Sequence, residues 1–336
     1  MSRTILYIGN NLSKQSNYKT TLETLSSLLI KEKYTLILSS NKKNKVLRLL
    51  DMIFTLLMQK KKLNYVLIDT FSTKNFYFAF IISQLCRFYK IKYLPILHGG
   101  NLPFRLDKSS KTSKLIFSNS YKNVAPSNYL KSEFEKRGYD AIYIPNTLEI
   151  EKYIFKKREQ IKPNLLWVRS FKELYNPTLA IEVLFLIKKE FPSAKLCMVG
   201  PEIDNSFNET KKMVNEYDLN DSVKFTGVLP SYKWHKVSEL YDVFINTTNF
   251  DNTPISVMEA MALGLTIVST NAGGMPYLIN NYEDGILVEK GNPKQMADEI
   301  INIIKLNNTN LSSKAREKVE NFSWDVVREK WLDILK

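Results

Sequence analysis

The chain has 336 residues, of which 44% are apolar, and a formal net charge of +14. Its length is too great for one small core and predicts two domains, and its apolar content is that of a soluble globular protein. The two histidines and two cysteines do not have the spacing of a standard zinc site. Cys86 and Cys197 both lie in apolar surroundings, which predicts buried thiols in a reducing cytoplasm.

The positive charge is concentrated in the first half of the chain. Residues 1–150 contain 24 Lys and Arg against 9 Asp and Glu, whereas residues 151–336 have a net charge of −1. Such an excess indicates an acidic partner, either nucleic acid or an anionic membrane. No motif of the usual nucleic-acid-binding modules is present, and a lysine-rich genome composition is the alternative that involves no partner.

No segment has the features of a signal peptide or of a membrane-spanning helix. The apolar run at residues 5–8 is too short for a signal peptide. The longest apolar segment, residues 46–58, contains Arg48 and Asp51 and is shorter than the roughly 18 residues that a span requires. A cytoplasmic location is therefore expected.

Short apolar runs alternate with helical stretches through the first half. Predicted strands are 4–8, 34–38, 65–68 and 93–97, and predicted helices are 17–29, 43–60 and 75–90. This alternation predicts a parallel sheet with helices on both faces. Ligands of such sheets bind at the carboxyl ends of the strands.

Two of these strand ends have turn sequences that suit a ligand. Gly9-Asn10-Asn11 follows the first strand, and His98, followed by two glycines, ends the strand at 93–97. His98 is predicted to face a cleft and to belong to the site, a structural histidine being the alternative. By contrast, His235 is expected in a polar surface helix without a special role.

The helix predicted within residues 43–62 is apolar and bracketed by lysines. Lysine stems beside an apolar face suit an anionic bilayer. An ordinary helix packed on the sheet, with solvated ends, is the competing interpretation. Loss of vesicle binding after Lys60, Lys61 and Lys62 are replaced by Glu would distinguish the two.

The second half repeats the alternation of strand and helix. Ser127 is predicted to cap a helix, and a domain boundary is placed near Pro145-Asn146-Thr147. Arg169 follows a strand at 165–168, and Gly200 follows one at 195–199. Further strands are predicted at 223–225, 242–245, 265–269 and 285–288, and helices at 176–191, at 254–262, up to residue 305, and at 323–336.

The most distinctive stretch is residues 250–278, FDNTPISVMEAMALGLTIVSTNAGGMPYL. Thr253 is predicted to cap a helix that has Pro254 in its first position, and the free amides of that helix start suit a phosphate. Glu259, the carboxylate of an apolar helix, needs a partner with hydroxyl or cationic donors. With Asp251, the stretch offers two carboxylates for hydroxyl groups and one seat for an anion. A core helix with Glu259 in a structural ion pair is the alternative.

The order of these residues resembles the donor-site signature of glycosyltransferase family 4, the retaining enzymes of GT-B fold. Asp251 and Glu259 are separated by seven residues, and Ala-Met-Ala-x-Gly and a turn containing Gly273 and Gly274 follow. The family usually has glutamate at both ends of this gap, so Asp251 is a departure. The turn that ends at Thr147 resembles the family's turn between domains, with threonine where glycine is usual.

This resemblance implies an α/β fold of GT-B type, in which two Rossmann-like doubly wound domains face a central cleft. Residues 1–147 are then an acceptor-binding domain and residues 148–320 a nucleotide-sugar-binding domain. A C-terminal helix at 321–336 is expected to cross back to the first domain.

The resemblance also implies roles for individual residues. Arg169 would grip the donor diphosphate, but Leu174 occupies the position of the family's lysine and leaves Lys172 as a candidate substitute. His98 would face the transferred sugar, with Asp251 on the sugar hydroxyls. The remaining donor-binding residues implied are Gly9, Gly200, Thr253, Pro254, Ile255 and Ser256, together with Glu259 on the ribose.

The expected activity is transfer of a sugar, with retention of configuration, from a UDP- or GDP-linked donor to a glycan or lipid-linked glycan in cell-surface polysaccharide synthesis. Neither a metal nor a nucleic acid is expected, and peripheral contact with the inner face of the cell membrane is an open possibility. Retention fits front-face attack, and no nucleophile is assigned. The alternatives are a catalytically weak nucleotide-sugar-binding subunit, an epimerase and a nucleic-acid-binding protein.

Overall fold

Strands and helices alternate throughout residues 3–9 and 20–336, the part of the chain that the computed structural model describes. The strands, numbered β1 to β12 in chain order, are Thr4–Ile8, Thr35–Ser39, Leu63–Phe71, Lys92–His98, Asn123–Ala125, Ala141–Tyr143, Asn164–Val168, Lys195–Val199, Val223–Gly227, Val243–Asn246, Thr266–Thr270 and Ile286–Val288. The helices, α1 to α14, are Thr21–Lys31, Lys45–Gln59, Phe76–Phe88, Leu102–Lys108, Ser110–Phe117, Asn128–Glu135, Pro177–Glu190, Ser206–Glu216, Ser231–Ser238, Ile255–Ala262, Met275–Leu278, Pro293–Leu306, Asn310–Glu320 and Trp324–Ile334.

The chain divides into two compact units. The first consists of Met1–Thr147 and Trp324–Lys336, and the second of Leu148–Ser323. Each holds one six-stranded sheet, in the order β2-β1-β3-β4-β5-β6 in the first unit and β12-β11-β10-β7-β8-β9 in the second. All neighbouring strands described in these sheets are parallel, which confirms the predicted pair of Rossmann-like folds.

Each sheet has a point at which the chain changes its direction of travel across the sheet. In the first unit, β2 lies on one side of β1 and β3 on the other. In the second unit, β8 and β9 lie on one side of β7, whereas β10 to β12 lie on the other. Ligands of open parallel sheets bind in the crevice outside the carboxyl ends of the strands at such a point. The expected crevices therefore lie at the ends of β1 and β3 and at the ends of β7 and β10.

The first sheet buries apolar side chains on both faces. Ile5 and Tyr7 of β1 pack with the buried residues of α1 and α14, whereas Leu6 and Ile8 pack with those of α2 and α3. Successive strand residues point to opposite faces, so α1 and α14 cover one face and α2 and α3 cover the other. The sheet is thus buried on both sides, as its nearly continuous apolar strands predict.

The second sheet is covered in the same way. One core cluster joins its strands to α7 and α12, and the other joins them to α10 and α13. α10 is almost wholly buried, because Val257 to Ala262 are buried without interruption. This burial fixes the start of α10 against the ends of β10 and β11.

Both cysteines are buried and free, as predicted. Cys86 is enclosed between α3 and the first sheet, and burial raises the pKa of its thiol to about 12. Cys197 lies in β8, and burial is also the main cause of its raised pKa. Each thiol therefore behaves as a small apolar side chain.

Local signals predicted the start of α6 correctly and placed the start of α1 too early. Ser127 accepts a hydrogen bond from the Leu130 amide at 3.1 Å and caps α6, as predicted. α1 begins later than predicted, with Thr20 as N-cap in a capping box with Glu23, and residues 17–19 of the predicted helix lie outside the described residues. None of the described helices is long and apolar enough to cross a membrane.

Candidate active site

Arg169 and Asp251 follow the two strands at the crevice of the second unit. Arg169 comes directly after β7, and Asp251 lies in the loop between β10 and α10. β7 and β10 are hydrogen-bonded neighbours, so these two loops leave the same edge of the sheet side by side. The Arg169 guanidinium donates to the Asp251 carboxylate, and both side chains are mostly buried. Two residues separated by 82 positions are thereby brought together at the expected crevice.

The surroundings of Arg169 hold its guanidinium in one orientation. Its Cζ atom lies 4.4 Å from the centre of the Tyr175 ring, an arrangement that is favourable for a cation over an aromatic face. Burial lowers the pKa of Arg169 from its usual value. Its Nε atom is buried without a hydrogen-bond partner in the described part of the chain. An unpaired buried donor is costly, so this atom favours an incoming acceptor such as a phosphate oxygen.

Gly200 allows the backbone after β8 to approach Arg169. A Cβ atom at position 200 would lie 1.8 Å from the Arg169 carbonyl oxygen, so any other residue would force the two loops apart. The Arg169 amide donates to the Val199 carbonyl at 3.0 Å, and the Gly200 amide donates to the Gly227 carbonyl at 2.9 Å. The structure thus gives Gly200 a role in positioning the arginine loop.

Gly273 and Gly274 hold the loop of Asp251 in the same manner. The Gly274 amide donates to the Asp251 carbonyl at 2.8 Å. A Cβ atom on Gly273, which has φ +60°, would lie 2.1 Å from that same carbonyl oxygen. Asp251 also accepts the Asn252 amide at 2.8 Å through Oδ1. The carboxylate is therefore fixed in the crevice by its own backbone.

The start of α10 differs from the prediction. Pro254, not Thr253, is the N-cap, with φ −70° and ψ 122°, and no side chain caps the helix. Because Pro254 itself has extended backbone geometry, the first helical residue is Ile255. Among the described residues, the Ile255 and Ser256 amides donate no hydrogen bond, because the first return bonds go from Val257 and Met258 to the Pro254 carbonyl. An anion beside this helix start would find two available donors.

Glu259 lies one turn further along α10 and is buried. Its Oε1 atom accepts a hydrogen bond from the Tyr153 hydroxyl at 2.8 Å and lies 3.6 Å from His235 Nε2. Burial and the adjacent Glu259 carboxylate raise the pKa of Tyr153 well above its usual value. The Tyr153 and His235 rings are 4.9 Å apart. The carboxylate is thus held through one oxygen, and no protein partner is described for Oε2.

This arrangement overturns the expectation for His235. The side chain is 16% exposed rather than solvated, and it contacts Glu259, Tyr153 and Trp234. Its Nε2 atom is buried without a hydrogen-bond partner in the described residues. The polar residues on either side of it in the sequence concealed its position, because α9 turns its His235 and Trp234 face inward.

Lys172 is exposed on the loop that follows Arg169. Phe171 anchors this loop by donating its amide to the Pro201 carbonyl at 2.8 Å. Leu174, where the resemblance implies lysine, is 38% exposed. Lys172 forms no ion pair among the residues described, so its side chain keeps the freedom to reach toward an anion.

In the first unit, His98 ends β4 and is paired with Asp69 of β3. His98 Nε2 lies 2.8 Å from Asp69 Oδ1, which also accepts the Tyr7 hydroxyl at 2.9 Å. The carboxylate only accepts, so Nε2 carries the proton that it donates and Nδ1 remains for other contacts. The Phe71 ring stacks on the imidazole, with centroids 4.9 Å apart. His98 is therefore fixed in both tautomer and orientation.

Gly9 lies at the crevice of the first unit, directly after β1. A Cβ atom there would lie 2.2 Å from Asp69 Oδ2, so the glycine makes room for the carboxylate that orients His98. Asn10 and Asn11 of the predicted turn lie outside the described residues. Gly9, Asp69 and His98 thus form one group at the ends of β1, β3 and β4.

Several residues of these groups were missed by sequence reasoning. Asp69 lies in β3, which extends to Phe71 and not to residue 68 as predicted. A carboxylate at the end of an apolar strand was the available signal. Tyr153 follows the short 3-10 turn Ile150–Lys152, Tyr175 ends the 3-10 turn Glu173–Tyr175, and no local pattern marks either residue. Across the described residues, no group of three or more His, Cys, Asp and Glu side chains could hold a metal ion.

The model of the glycosyl transferases group 1 family matches residues 149–322, which is just over half of the chain. The chain belongs to that family. A group 1 glycosyltransferase is consistent with the geometry above, because the matched residues include Arg169, Gly200, Asp251 and Glu259 in one unit. The finer assignment to retaining family 4 does not follow from this match.

Relatives of this group 1 glycosyltransferase include polysaccharide enzymes. The putative colanic acid biosynthesis glycosyltransferase WcaL of Escherichia coli is 28% identical over 136 residues, which are 38% of this chain and 34% of WcaL. The amylovoran biosynthesis glycosyltransferase AmsK of Erwinia amylovora is 25% identical over 219 residues, 61% of this chain and 53% of AmsK. The chain therefore matches a third to about half of the length of these curated relatives.

A solved structure supports the fold along nearly the whole chain. HepE of Anabaena, determined with UDP, superposes with a TM-score of 0.78 and 14% identity, and the match covers 100% of this chain and 99% of HepE. The same protein with UDP-glucose gives a TM-score of 0.76, with 14% identity and 99% coverage of both chains. The predicted GT-B fold is thereby confirmed.

Proposed function

We propose that this group 1 glycosyltransferase moves a sugar from a nucleotide-sugar donor to a glycan or lipid-linked glycan, with retention of configuration, in the synthesis of a cell-surface polysaccharide. One observation carries the proposal. At the crevice of the second unit, the buried cation Arg169 is fixed beside Asp251, and the uncapped start of α10 follows in the same loop. A nucleotide sugar has a diphosphate flanked by the hydroxyl groups of the ribose and of the sugar. The cation and the helix start suit the diphosphate, and the carboxylates of Asp251 and Glu259 suit the two sets of hydroxyl groups.

The donor diphosphate would be held by Arg169 and the start of α10. Arg169 Nε lacks a protein partner among the described residues, and the Ile255 and Ser256 amides are available donors. These groups are fixed before the reaction and can stabilise the charge that builds on the leaving diphosphate. Lys172 would contribute a second cation from its exposed position. The donor would be UDP- or GDP-linked, and these protein groups would serve the diphosphate without a metal.

The hydroxyl groups of the donor would be held by the two carboxylates. Glu259 Oε2, which has no described protein partner, would accept from the ribose hydroxyls while Tyr153 holds Oε1. Asp251 would accept from the hydroxyls of the sugar ring, with Thr253 and Pro254 shaping the loop between the two acids. Hydrogen bonds to ionised oxygens are strong and directional, which suits recognition of sugars.

His98 would face the transferred sugar from the first unit, oriented by Asp69. Gly9 would allow the chain to pass close to the ligand. Retention is proposed through front-face attack, in which the acceptor oxygen bonds to the anomeric carbon as the phosphate leaves and takes the acceptor's proton. No protein nucleophile is assigned. WcaL and AmsK support a polysaccharide acceptor, and the complexes of HepE support a UDP-linked donor.

The proposal is tested by donor binding followed by product analysis. A thermal-shift panel of UDP-, GDP- and ADP-sugars should raise the unfolding midpoint with UDP- or GDP-sugars, because only the folded chain binds them. Glu259→Gln should lose this shift, whereas the exposed control Glu209→Gln on α8 should keep it. The anomeric configuration of the product is then read by NMR. An absence of any nucleotide-sugar shift would overturn the proposal, and an inverted product would overturn retention.

A catalytically weak donor-binding subunit is the second candidate. Leu174 at the expected lysine position and the pairing of Arg169 with Asp251 favour it, because both reduce the free positive charge at the diphosphate seat. An enzyme should hydrolyse the bound donor slowly without acceptor. A donor that binds and stays intact would support the subunit.

A further inference from the structure

α2 of the first unit exposes a continuous apolar stripe. Five large apolar side chains on this helix are between 56% and 67% exposed, namely Val46, Leu47, Leu50, Phe54 and Met58. At 100° per residue they fall within one third of the helix circumference. Scattered exposed apolar residues are ordinary, but five on one face of one helix form a patch.

The core of the first unit does not use this stripe. α2 packs on the sheet through Met52 and Leu56, which are 2% and 0% exposed and lie on the other side of the helix. Polar side chains on the outer face would therefore leave the packing of α2 unchanged. α2 therefore packs on the sheet, as the interpretation of an ordinary helix predicts, and it also presents an apolar face to solvent.

Lysines lie at both ends of the stripe. Lys42, Lys43 and Lys45 precede or begin α2, and they are exposed. Lys60, Lys61 and Lys62 follow its last residue, Gln59. Within the described part of the chain, none of these six lysines lies within ion-pair distance of a carboxylate. An apolar strip with lysines at both ends suits an anionic bilayer, because the strip can enter the interface while the long lysine side chains reach the headgroup phosphates.

A basic cavity lies at the C-terminal end of the helix. It has a volume of ≈ 450 Å³, and its lining includes Lys60 together with Arg3, Lys90 and Lys92. Lys336 also lines it, with its ammonium paired to Asp333. The Lys60 ammonium lies 4.3 Å from the centre of the Tyr89 ring, and that of Lys92 lies 4.5 Å from the centre of the Tyr121 ring. No Asp or Glu is among the residues that line it. The cavity is therefore suited to an anionic group.

The cavity adjoins the end of α2, and within the first unit it lies at the opposite edge of the sheet from Asp69 and His98. Lys60 ends α2 and also lines the cavity. Leu63 and Lys92, at the amino ends of β3 and β4, lie on the lining, whereas Asp69 and His98 lie near the opposite ends of those strands. Leu63 and Asp69 are six residues apart along β3, which corresponds to roughly 20 Å.

We propose that α2 and this cavity together dock the protein on an anionic phospholipid bilayer. The stripe enters the interfacial layer with the helix axis parallel to the surface, and a headgroup phosphate occupies the cavity. The apolar stripe distinguishes a bilayer from a free phosphate, which would need only the cations. The lysines distinguish it from a second copy of this positively charged chain, because like charges at both ends of the stripe would repel.

The proposal is tested by vesicle flotation of the full chain, which requires no glycosyl transfer. Vesicles of phosphatidylcholine are compared with vesicles that also contain phosphatidylglycerol, at low and at high salt. The protein should float with the anionic vesicles at low salt and be released at high salt, because exposed charges are screened. Each lysine near the surface contributes about fivefold to the partition coefficient, so Lys60→Gln with Lys92→Gln should lower it about 25-fold. Phe54→Ser with Met58→Ser should lower it by at least about tenfold.

A matched control comes from the opposite face of the same sheet. Ile30 is 54% exposed near the end of α1 and is followed by exposed Lys31. Ile30→Ser with Lys31→Gln removes the same kinds of side chain and should leave flotation unchanged. All variants should keep the thermal unfolding midpoint, because the replaced residues are exposed or line a solvent-filled cavity.

Three outcomes would overturn the proposal. Equal flotation with neutral vesicles would remove the role of the cations, and equal flotation of all variants would remove this surface from the interaction. Absence of flotation would exclude a bilayer. The proposal would then be overturned even if sedimentation showed dimers formed through the stripe, or if the cavity bound inorganic phosphate alone. Donor binding is measured separately, so a failure here leaves the proposed function standing.

Discussion

Replacing Asp251 by Asn is the sharpest test of how the donor crevice works. The side chains have almost the same shape, but the change leaves Arg169 without its carboxylate. Removing one partner of a fully buried ion pair costs about 3–5 kcal/mol. The Arg169 and Asp251 side chains are 21% and 15% exposed, so water recovers part of this loss. We expect the free energy of unfolding to fall by about 2 kcal/mol, which lowers the midpoint by roughly 4–8 °C.

The effect on ligands should differ between UDP and a UDP-sugar. In the free protein, Asp251 competes with the diphosphate for Arg169, so Asp251→Asn should bind UDP more tightly, by about tenfold if one charged contact is released. The same change replaces the charged acceptor for the sugar hydroxyls by a neutral amide, and turnover should fall about 10- to 150-fold if one hydrogen bond to a charged group is lost. The preference for the UDP-sugar over UDP should therefore decrease.

Calorimetry with UDP and with the cognate UDP-sugar, alongside single-turnover kinetics, measures these effects. Asp221→Asn, an exposed aspartate that forms no ion pair in the described structure, is the control and should change nothing. If Asp251→Asn weakened UDP and the UDP-sugar equally, Asp251 would serve only to shape its loop. The competition between the carboxylate and the diphosphate would then be refuted.

Two further predictions concern the neighbouring groups. Asp69→Asn should lower turnover at least about tenfold and leave donor affinity unchanged, because His98 loses the partner that fixes its tautomer. Steady-state kinetics measures the turnover, and calorimetry measures the affinity. A parallel loss of donor affinity would contradict this role. In urea denaturation, Gly200→Ala should destabilise the fold by at least about 2 kcal/mol more than Gly138→Ala. Position 138 is the control because it has a positive φ but open space for a methyl group. Equal losses of stability would contradict the close approach at position 200.

The parts of the site that follow strands could be predicted from the sequence. Arg169 and His98 come directly after apolar runs, and the topology of parallel sheets places such residues at the ligand edge. Glu259 was recognisable because a carboxylate in an apolar helix requires a partner. These inferences depend on local pattern and on a general rule of sheet topology, so they needed no knowledge of distant contacts.

The partners of those residues could not be predicted in the same way. Tyr153 meets Glu259 across 106 positions, and Arg169 meets Asp251 across 82, so both contacts exist only after the sheet has assembled. His235 was misjudged because its polar neighbours in sequence point to solvent while its own ring points inward. The cap of α10 was misassigned because Thr253 is a good capping residue in general, whereas Pro254, with its extended backbone, takes the cap position here.

The two tasks proposed for the first unit would lie at opposite edges of one sheet. The group of Gly9, Asp69 and His98 lies at the carboxyl edge, whereas the basic cavity lies at the amino edge. α2 runs along the sheet between these edges, so a bilayer docked on its outer face would lie parallel to the strands. One helix diameter, roughly 10 Å, would then separate the sheet from the membrane surface.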